Sequence, residues 1–294
     1  MVLLVLKGMR PRQWAKNVFV LTPLLFALKA GEVGAELRAL TAFLLFSITS
    51  GVVYLANDIA DRKVDVHHPR KKLRPIASGA LPVRVAGASA VGLAVLTLAA
   101  GLILSPQLAL TLLGYLLLNL FYSFKGKQIP IADVSCIALG FVLRVVGGGV
   151  AIPVPVSFWI LSCTFLLAAY LALGKRVHEL MLMGEEGRRT RSVLRLYGPV
   201  PTRWAFGLTG LAACGTFLAY TLSDRALANF GTRALVLTVP LVVFGLGRFY
   251  RLAHDTRRTA PPTDTLMSDP WILCAAFAWG AAAVVILYFG GGPS

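Results

Sequence analysis

Three carboxylates in the segment NDIADRKVD have the residue type and spacing for metal chemistry. Asp58, Asp61 and Asp65 fall within an arc of about 60° on an α-helix, and Asn57 lies just beside them. Like charges on one helix face repel each other unless a cation neutralises them. Oxygen ligands of this kind suit Mg²⁺, which binds a few carboxylates together with a phosphate-bearing substrate. The alternative is a solvated helix end that carries scattered acids.

A basic segment follows these acids, as expected beside a phosphate site. Residues 70–72 are typical of an ordinary basic loop at a membrane surface. Arg74 differs, because Pro75 and the small residues at 77–79 follow it. Such a turn would bring Arg74 back over the acidic face, where its guanidinium would meet a phosphate.

Further polar candidates lie within the segment 122–144. Tyr122, Lys127 and Asp133 flank a short connection between two apolar blocks, although an acid at 133 is also favoured by the dipole of a starting helix. Arg144 is eleven residues into the next apolar block, which places it about 16 Å deep. A buried arginine there either pairs within the helix bundle or binds a carboxylate or a substrate phosphate.

The segment GKRVHEL adds two cations and an acid where the sixth apolar block ends. Lys175 and Arg176 are candidate phosphate ligands, and Lys175 and Glu179 have the spacing of a simple helical ion pair. The residues that follow, up to Tyr197, alternate arginines with apolar side chains. This pattern is typical of an amphipathic helix in the membrane interface.

The elements that position these residues are membrane spans. The 294 residues are 57% hydrophobic and only 14% charged, against about 25% charged in a soluble domain. The apolar residues form blocks long enough to cross about 30 Å of hydrocarbon as helices. Nine such blocks are predicted, at 17–30, 37–57, 84–104, 107–124, 131–152, 157–174, 204–222, 234–250 and 270–290. The predicted fold is therefore an all-α integral membrane bundle of about nine transmembrane helices, in one polytopic domain over 1–294.

The positive charge reports orientation in the bilayer. Of 29 Lys and Arg residues, 24 fall on one side of the predicted spans and four on the other. The positive-inside rule then predicts a multi-pass protein of the cytoplasmic membrane, with its N-terminus and active site cytoplasmic and its C-terminus external. The predicted cytoplasmic loops are 58–83, 123–131, 175–203 and 249–269. The net charge of +16 is thereby explained by topology, and nucleic-acid binding is not expected.

These motifs resemble the UbiA-type intramembrane prenyltransferase superfamily, which the acidic motif NDxxDxxxD indicates. The second aspartate-rich motif of that superfamily is replaced here by GKRVHEL, which favours an anion over a metal at that position. RPRQWAKN and GKRxxEL instead resemble its polyprenyl-phosphate phosphoribosyltransferase branch. The resembling segments are 10–17, 54–79, 122–134, 143–151 and 174–180, whereas 200–294 match only in hydropathy and in the polarity of the last loop.

The resemblance implies a substrate pair and a set of site residues. The donor is phosphoribosyl pyrophosphate, the acceptor is a decaprenyl-type polyprenyl phosphate, and the product serves the synthesis of cell-envelope polysaccharide precursors. Mg²⁺ is bound by Asn57, Asp58, Asp61 and Asp65. The implied substrate-binding residues are Arg12, Lys16, Asn17, Arg74, Tyr122, Lys127, Asp133, Arg144, Lys175, Arg176 and Glu179. The sequence does not fix the oligomeric state, and a homo-oligomer is compatible with it.

Two other functions compete with this hypothesis. A true prenyltransferase would move an isoprenoid chain from a prenyl diphosphate to an aromatic or other acceptor, but the missing second acidic motif weighs against it. A transporter would carry charges near the middle of the bilayer and often an internal repeat. Here the acids cluster at span ends on one side, and no clear repeat is present.

Overall fold

Helices make up all the regular structure in the described part of the chain. A computed structural model describes residues 1–69, 71–190, 197–257, 262, 266 and 268–290, with side chains given outside 183–190. The α-helices are α1 (Val2–Gly8), α2 (Thr22–Phe26), α3 (Val33–Asp65), α4 (Val83–Leu104), α5 (Pro106–Phe124), α6 (Ala132–Ala151), α7 (Phe158–Thr190), α8 (Pro199–Leu222), α9 (Asp224–Phe230), α10 (Val239–His254) and α11 (Pro270–Phe289). Short 3₁₀-helices cover Pro11–Leu21, Lys71–Leu73, Gly126–Gln128 and Ala234–Thr238.

Eight helical segments in the described ranges are long and apolar enough to cross a bilayer. They correspond to α3–α8, to the segment Ala234–His254 and to α11, with α7 counted over Phe158–Leu182. The chain is therefore an all-helical, multi-pass membrane protein, as the hydropathy predicted.

The first predicted span, 17–30, differs from the other eight. Its region contains the end of the 3₁₀-helix Pro11–Leu21 and the short helix α2, because Pro23 lacks the backbone donor that a continuous α-helix over 17–30 would need. A 3₁₀-helix rises about 2.0 Å per residue, so its 11 residues extend about 22 Å. The segment 11–26 thus reaches about 30 Å with fewer residues than an α-helix would need.

Two spans continue beyond the ends that hydropathy suggested. Helix α3 runs on to Asp65, so the whole segment NDIADRKVD lies on its last turns. Helix α7 runs on to Thr190, so GKRVHEL is also helical. Part of the predicted interface helix, at 191–196, and residue 70 of the basic loop lie outside the described residues.

The chain forms two compact units. The single polytopic domain expected over 1–294 therefore stays a prediction. The first unit contains Met1–Lys125 and Val142–Val156. Its core packs α3 against α4, α5 and the 3₁₀-helix Pro11–Leu21. In the motif LRVVGGGVA, a Cβ at Gly148 would collide with the carbonyl oxygen of Val20, and one at Gly147 with the ring of Phe46. These glycines allow the 3₁₀-helix and α3 to approach α6 closely, as small residues do between membrane helices.

The second unit contains Gly126–Phe141 and Ser157–Ser294. Its core gathers α7, α8 and α10 around Tyr170, Phe206 and Phe249, with the rings of Tyr170 and Phe206 stacked at 4.5 Å between centroids. A Cβ at Gly174 would meet the rings of Phe206 and Phe249. The glycine that opens GKRVHEL therefore serves aromatic packing, and the polar residues follow directly after it.

Candidate active site

Two carboxylates of α3 form a buried ionic cluster with cations from the connecting segments. Asp58 and Asp65 are only 2% and 1% exposed. Atom Nη1 of Arg74 donates to Oδ1 of Asp58 at 3.1 Å and to Oδ2 of Asp65 at 2.6 Å. Arg10 also donates to Asp58, and Nζ of Lys71 lies 3.8 Å from Oδ1 of Asp65. These five residues are called the first polar cluster below.

Local structure explains why these side chains meet. Asp58 and Asp65 are seven residues apart, which is two helical turns, so both point to one side of α3. The turn after Arg74 closes through hydrogen bonds from Ser78 N to Arg74 O and from Leu81 N to Pro75 O. Ile76 and Leu81 are buried in the adjacent core and fix that turn. The structure therefore places Arg74 over the acidic face.

Arg10 reaches the cluster through an unusual backbone conformation. Its φ of 53° lies in the left-handed region, and it directly precedes Pro11, which disfavours helical conformations at this position. The guanidinium carbon lies 4.8 Å from the ring centroid of Tyr54, in cation–π contact. Met9 and Leu55 pack in the core beneath this segment. This packing places Arg10 beside Asp58, with 30% of its side chain exposed.

The donor chemistry of the first polar cluster suits a divalent cation. Two carboxylates converge on one positively charged atom, Nη1 of Arg74, and their oxygens are the ligands that Mg²⁺ prefers. Among the described residues no group of three or more His, Cys, Asp or Glu side chains is gathered closely enough to enclose a metal. Asn57 and Asp61 are partly exposed beside the cluster. A metal here would complete its coordination with water or with phosphate oxygens of a substrate.

A second set of polar residues lies inside the first unit. Arg144 donates from Nε to Oδ1 of Asn17 at 2.7 Å and from Nη2 to the hydroxyl of Tyr115 at 2.7 Å. Asn17 donates to Ser47, and the hydroxyls of Ser50 and Tyr115 are 3.1 Å apart. All five side chains are buried. They form the buried polar network, which ties the 3₁₀-helix Pro11–Leu21 to α3, α5 and α6.

The buried polar network contains two residues for which the resemblance implied a role in substrate binding. Asn17 and Arg144 bind each other across 127 positions of sequence, and neither is exposed. Their contact with substrate stays a prediction, whereas their contact with one another fixes the segment that carries Arg10. Arg12 and Lys16 lie on the same 3₁₀-helix and are exposed.

The second unit contains its own buried ionic cluster. Arg176 donates from Nε to Oδ2 of Asp133 at 2.6 Å, and its Nη1 binds Glu179. Asp133 is fully buried. The hydroxyl of Tyr197 donates to Oδ1 of Asp133 at 2.7 Å and accepts from the backbone N–H of Ile131 at 3.0 Å. Asp133, Arg176, Glu179 and Tyr197 are called the second polar cluster below.

Burial raises the pKa of the Tyr197 phenol above its ordinary value, and the hydrogen bond to the Asp133 carboxylate raises it further. The hydroxyl therefore remains protonated at neutral pH and donates to the carboxylate. Arg176 binds two carboxylates in this arrangement, so its positive charge is already compensated within the protein. Tyr122, Lys127 and Lys175 are partly exposed. Their binding to substrate stays a prediction.

Sequence reasoning assigned Lys71 to an ordinary basic loop, whereas the structure places its Nζ 3.8 Å from Asp65. It also did not identify several other residues in or beside these clusters. Arg10, Tyr54, Tyr115 and Tyr197 all contact predicted site residues, or one another, through contacts that a helical period does not report. Arg10 lies in the segment RPRQWAKN, so its place in that motif was the available signal. Tyr54 likewise begins the resembling segment 54–79, whereas Tyr115 lies within an apolar block and Tyr197 ends the predicted interface helix, so these last two gave no signal.

Comparison with known proteins agrees with this architecture. The model of the UbiA prenyltransferase family matches residues 18–267. A decaprenyl-phosphate phosphoribosyltransferase from Mycobacterium tuberculosis is 32% identical over 292 residues, which span 97% of this chain and 95% of the relative. A protein of the same name from Mycolicibacterium smegmatis is 34% identical over 298 residues, spanning 97% and 92%. The likeness thus extends through residues 200–294, where sequence motifs alone gave only hydropathy.

A solved structure shares the fold. A UbiA homologue from Archaeoglobus fulgidus, bound to DMAPP and Mg²⁺, superposes with a TM-score of 0.73. The two sequences are 19% identical, and the match covers 96% of this chain and 99% of the other. At this identity the comparison establishes a common helical fold.

Proposed function

Because the chain belongs to the UbiA prenyltransferase family, we propose that it transfers 5-phosphoribosyl from phosphoribosyl pyrophosphate to a polyprenyl phosphate and releases diphosphate. The observation that carries this proposal is the near full-length likeness to enzymes named decaprenyl-phosphate phosphoribosyltransferase. The first polar cluster supports it chemically, because three cations surround two carboxylates there. That excess of positive charge suits a polyanionic donor. We place the product in the synthesis of cell-envelope polysaccharide precursors.

The reaction exchanges one C1–O bond of the ribose for another. The bond from C1 to the diphosphate breaks, the ribose becomes oxocarbenium-like, and an oxygen of the lipid phosphate forms the new bond to C1. The diphosphate leaves with the bonding electrons. The lipid phosphate is already an anion, so the step needs no general base. Arg10, Lys71 and Arg74 neutralise the charge that develops on the leaving group, and Arg12 and Lys16 extend the basic surface toward the substrate phosphates.

Asp58 and Asp61 would hold Mg²⁺, with Asn57 and Asp65 beside them. A bound Mg²⁺ would supply Lewis-acid stabilisation to the diphosphate leaving group. Asp58 and Asp65 are buried on a regular helix, so their oxygens are fixed before any ligand arrives. In the second unit, Lys127, Lys175 and Arg176 are the proposed further ligands of phosphate.

A product assay tests the proposed function. Purified protein in lipid nanodiscs receives radiolabelled phosphoribosyl pyrophosphate and polyprenyl phosphate, and the lipid product is identified by mass spectrometry. We expect a labelled lipid that is heavier than the acceptor by one phosphoribosyl group. Its formation is expected to stop in excess EDTA and to resume when Mg²⁺ is added back. Labelled product in excess EDTA would contradict the magnesium assignment.

The competing functions have their own arms in the same experiment. A prenyl diphosphate with an aromatic acid tests the prenyltransferase alternative, which the family supports in general and the solved relative bound to DMAPP illustrates. Prenylated acid without phosphoribosyl lipid would replace the proposed function with that alternative. Flux of substrate into proteoliposomes without any product would instead favour a transporter.

The proposed topology gives a separate prediction. A reporter fused after Ser294 is expected to be external and one inserted near Gly187 cytoplasmic, because the basic residues are distributed 24 to four between the two sides. Alkaline phosphatase and green fluorescent protein fusions measure this directly. A cytoplasmic C-terminus would mean that the segment 11–26 does not cross the bilayer, leaving the eight regular spans.

A further inference from the structure

The proposed metal ligands already have cationic partners. Asp58 is bound by two guanidinium groups, those of Arg10 and Arg74, and Arg74 also binds Asp65. Lys71 adds a third cation next to Asp65. In the first polar cluster the carboxylates are therefore neutralised by side chains of the protein itself. A metal that binds there must displace these cations.

The two sides of this ionic contact differ in how firmly they are held. Asp58 and Asp65 project from a regular helix and are almost fully buried. The side chains of Arg10 and Arg74 are 30% and 25% exposed, and both residues lie in short connections between helices. Their guanidinium groups are the more exposed partners of these ion pairs, so they can reorient toward a ligand more readily than the buried carboxylates on the helix. The arginines are thus the partners that can move.

Charge decides when they move. A divalent cation arriving alone meets carboxylates that are already paired, and it is repelled by the guanidinium groups beside them. A diphosphate arriving with the metal supplies new anionic oxygens that the same guanidinium groups bind well, often in bidentate fashion. Exchange of partners then keeps every charge compensated. Neither ligand achieves this alone.

We propose that Arg10 and Arg74 are exchange residues, which hold Asp58 and Asp65 while the site is empty and transfer to the diphosphate when the metal takes the carboxylates. Metal and diphosphate then bind together, and each raises the affinity for the other by the same factor. The inference rests on the proposed function for its donor, a diphosphate. It assigns Arg10 and Arg74 to the order of ligand binding, which the transfer reaction itself does not specify.

The test measures metal binding without turnover. The full chain in nanodiscs is titrated with Mn²⁺, a paramagnetic substitute for Mg²⁺, and free Mn²⁺ is followed by electron paramagnetic resonance with and without inorganic pyrophosphate. For the unmodified protein we expect Mn²⁺ to bind at least ~10-fold more tightly when pyrophosphate is present, within the range of usual coupling between sites. Chelation of Mn²⁺ by pyrophosphate in solution is measured separately and subtracted. Equal affinity in both conditions would overturn the proposal.

Arg74→Gln separates exchange from simple phosphate binding. Because it removes the competing cation, we expect Mn²⁺ alone to bind ~5- to 10-fold more tightly, whereas the enhancement by pyrophosphate falls by a similar factor. A residue that only binds phosphate would lose the enhancement without any gain in affinity for the metal alone. Arg74→Lys retains the positive charge and is expected to keep weak binding of Mn²⁺ alone. Arg10→Gln should change both values in the same direction as Arg74→Gln.

Controls keep the outcome independent of folding and of the proposed function. Arg84→Gln removes an exposed arginine at the start of α4 and should leave Mn²⁺ binding unchanged. Where Arg74→Gln lowers the yield of folded protein, Arg10→Gln provides the same comparison, because it leaves the pair of Arg74 with Asp65 in place. Absence of phosphoribosyl lipid in the product assay contradicts the proposed function, and absence of coupling between Mn²⁺ and pyrophosphate contradicts the exchange. The two failures are therefore distinct.

Discussion

Replacing Asp58 by Asn is expected to lower kcat/KM by at least ~100-fold while the protein stays folded, since groups that stabilise developing charge commonly contribute about 10²–10³. The substitution removes one charged oxygen from the proposed metal site and keeps the shape of the side chain. The fold tolerates it because both guanidinium partners of Asp58 are partly exposed and Arg74 retains Asp65. Product formation at saturating lipid acceptor, over a range of donor concentrations, measures the effect.

The control for Asp58→Asn is Asp224→Asn. Asp224 is 98% exposed and pairs with Arg233 outside both polar clusters, so its loss should leave activity within about a factor of two. Size-exclusion profiles and thermal melting in detergent verify that both variants are folded. Turnover of Asp58→Asn close to that of the unmodified protein would remove Asp58 from the proposed metal site.

Much of the first polar cluster follows from sequence because it depends on local geometry. Asp58 and Asp65 share a helix face by their spacing alone, and the turn after Arg74 is signalled by Pro75 and small residues. Arg10 is different. Its position depends on a left-handed backbone conformation before Pro11 and on the ring of Tyr54, neither of which periodicity reports.

Contacts between distant segments were the least predictable. Hydropathy placed Arg144 inside a span but gave no partner, and the partner Asn17 is 127 residues away. Hydropathy also predicted an ordinary span at 17–30. The apolar end of the 3₁₀-helix Pro11–Leu21 has the composition of an α-helical span, so composition does not distinguish the two. Its irregular backbone is stabilised by the close approach to Gly148 and by the buried polar network. These are properties of packing, which one sequence does not display.

The second polar cluster illustrates the same limit for charge. Helical spacing suggested a pair of Lys175 with Glu179, which stays a prediction. It did not report that Arg176 binds both Glu179 and Asp133, which lies on another helix. A cation that sequence assigned to phosphate therefore has a demonstrable role in burying an acid. The two roles predict different consequences when Arg176 is replaced.

Arg176→Gln is expected to destabilise the protein by about 3–5 kcal/mol, because it leaves the carboxylate of Asp133 buried without its cation. Asp133 is fully buried and would keep the hydrogen bond from the hydroxyl of Tyr197. Melting in detergent, followed by tryptophan fluorescence, measures the loss. Arg203→Gln, at an exposed position of α8, is the matched control and should change the melting temperature little.

Adding Asp133→Asn to Arg176→Gln is expected to recover about 1–3 kcal/mol of stability, since a neutral amide needs no buried cation. The coupling energy of the double-mutant cycle then measures the ion pair directly.

Kinetic measurements on the same variants test the phosphate hypothesis. A purely structural Arg176 predicts that the double variant regains donor affinity together with stability. A phosphate ligand predicts a loss of donor affinity of roughly 10- to 150-fold that persists in the double variant, because the added amide restores no positive charge. Normal stability of Arg176→Gln with a selective loss of donor affinity would show that the pair with Asp133 contributes little and that the guanidinium acts on substrate.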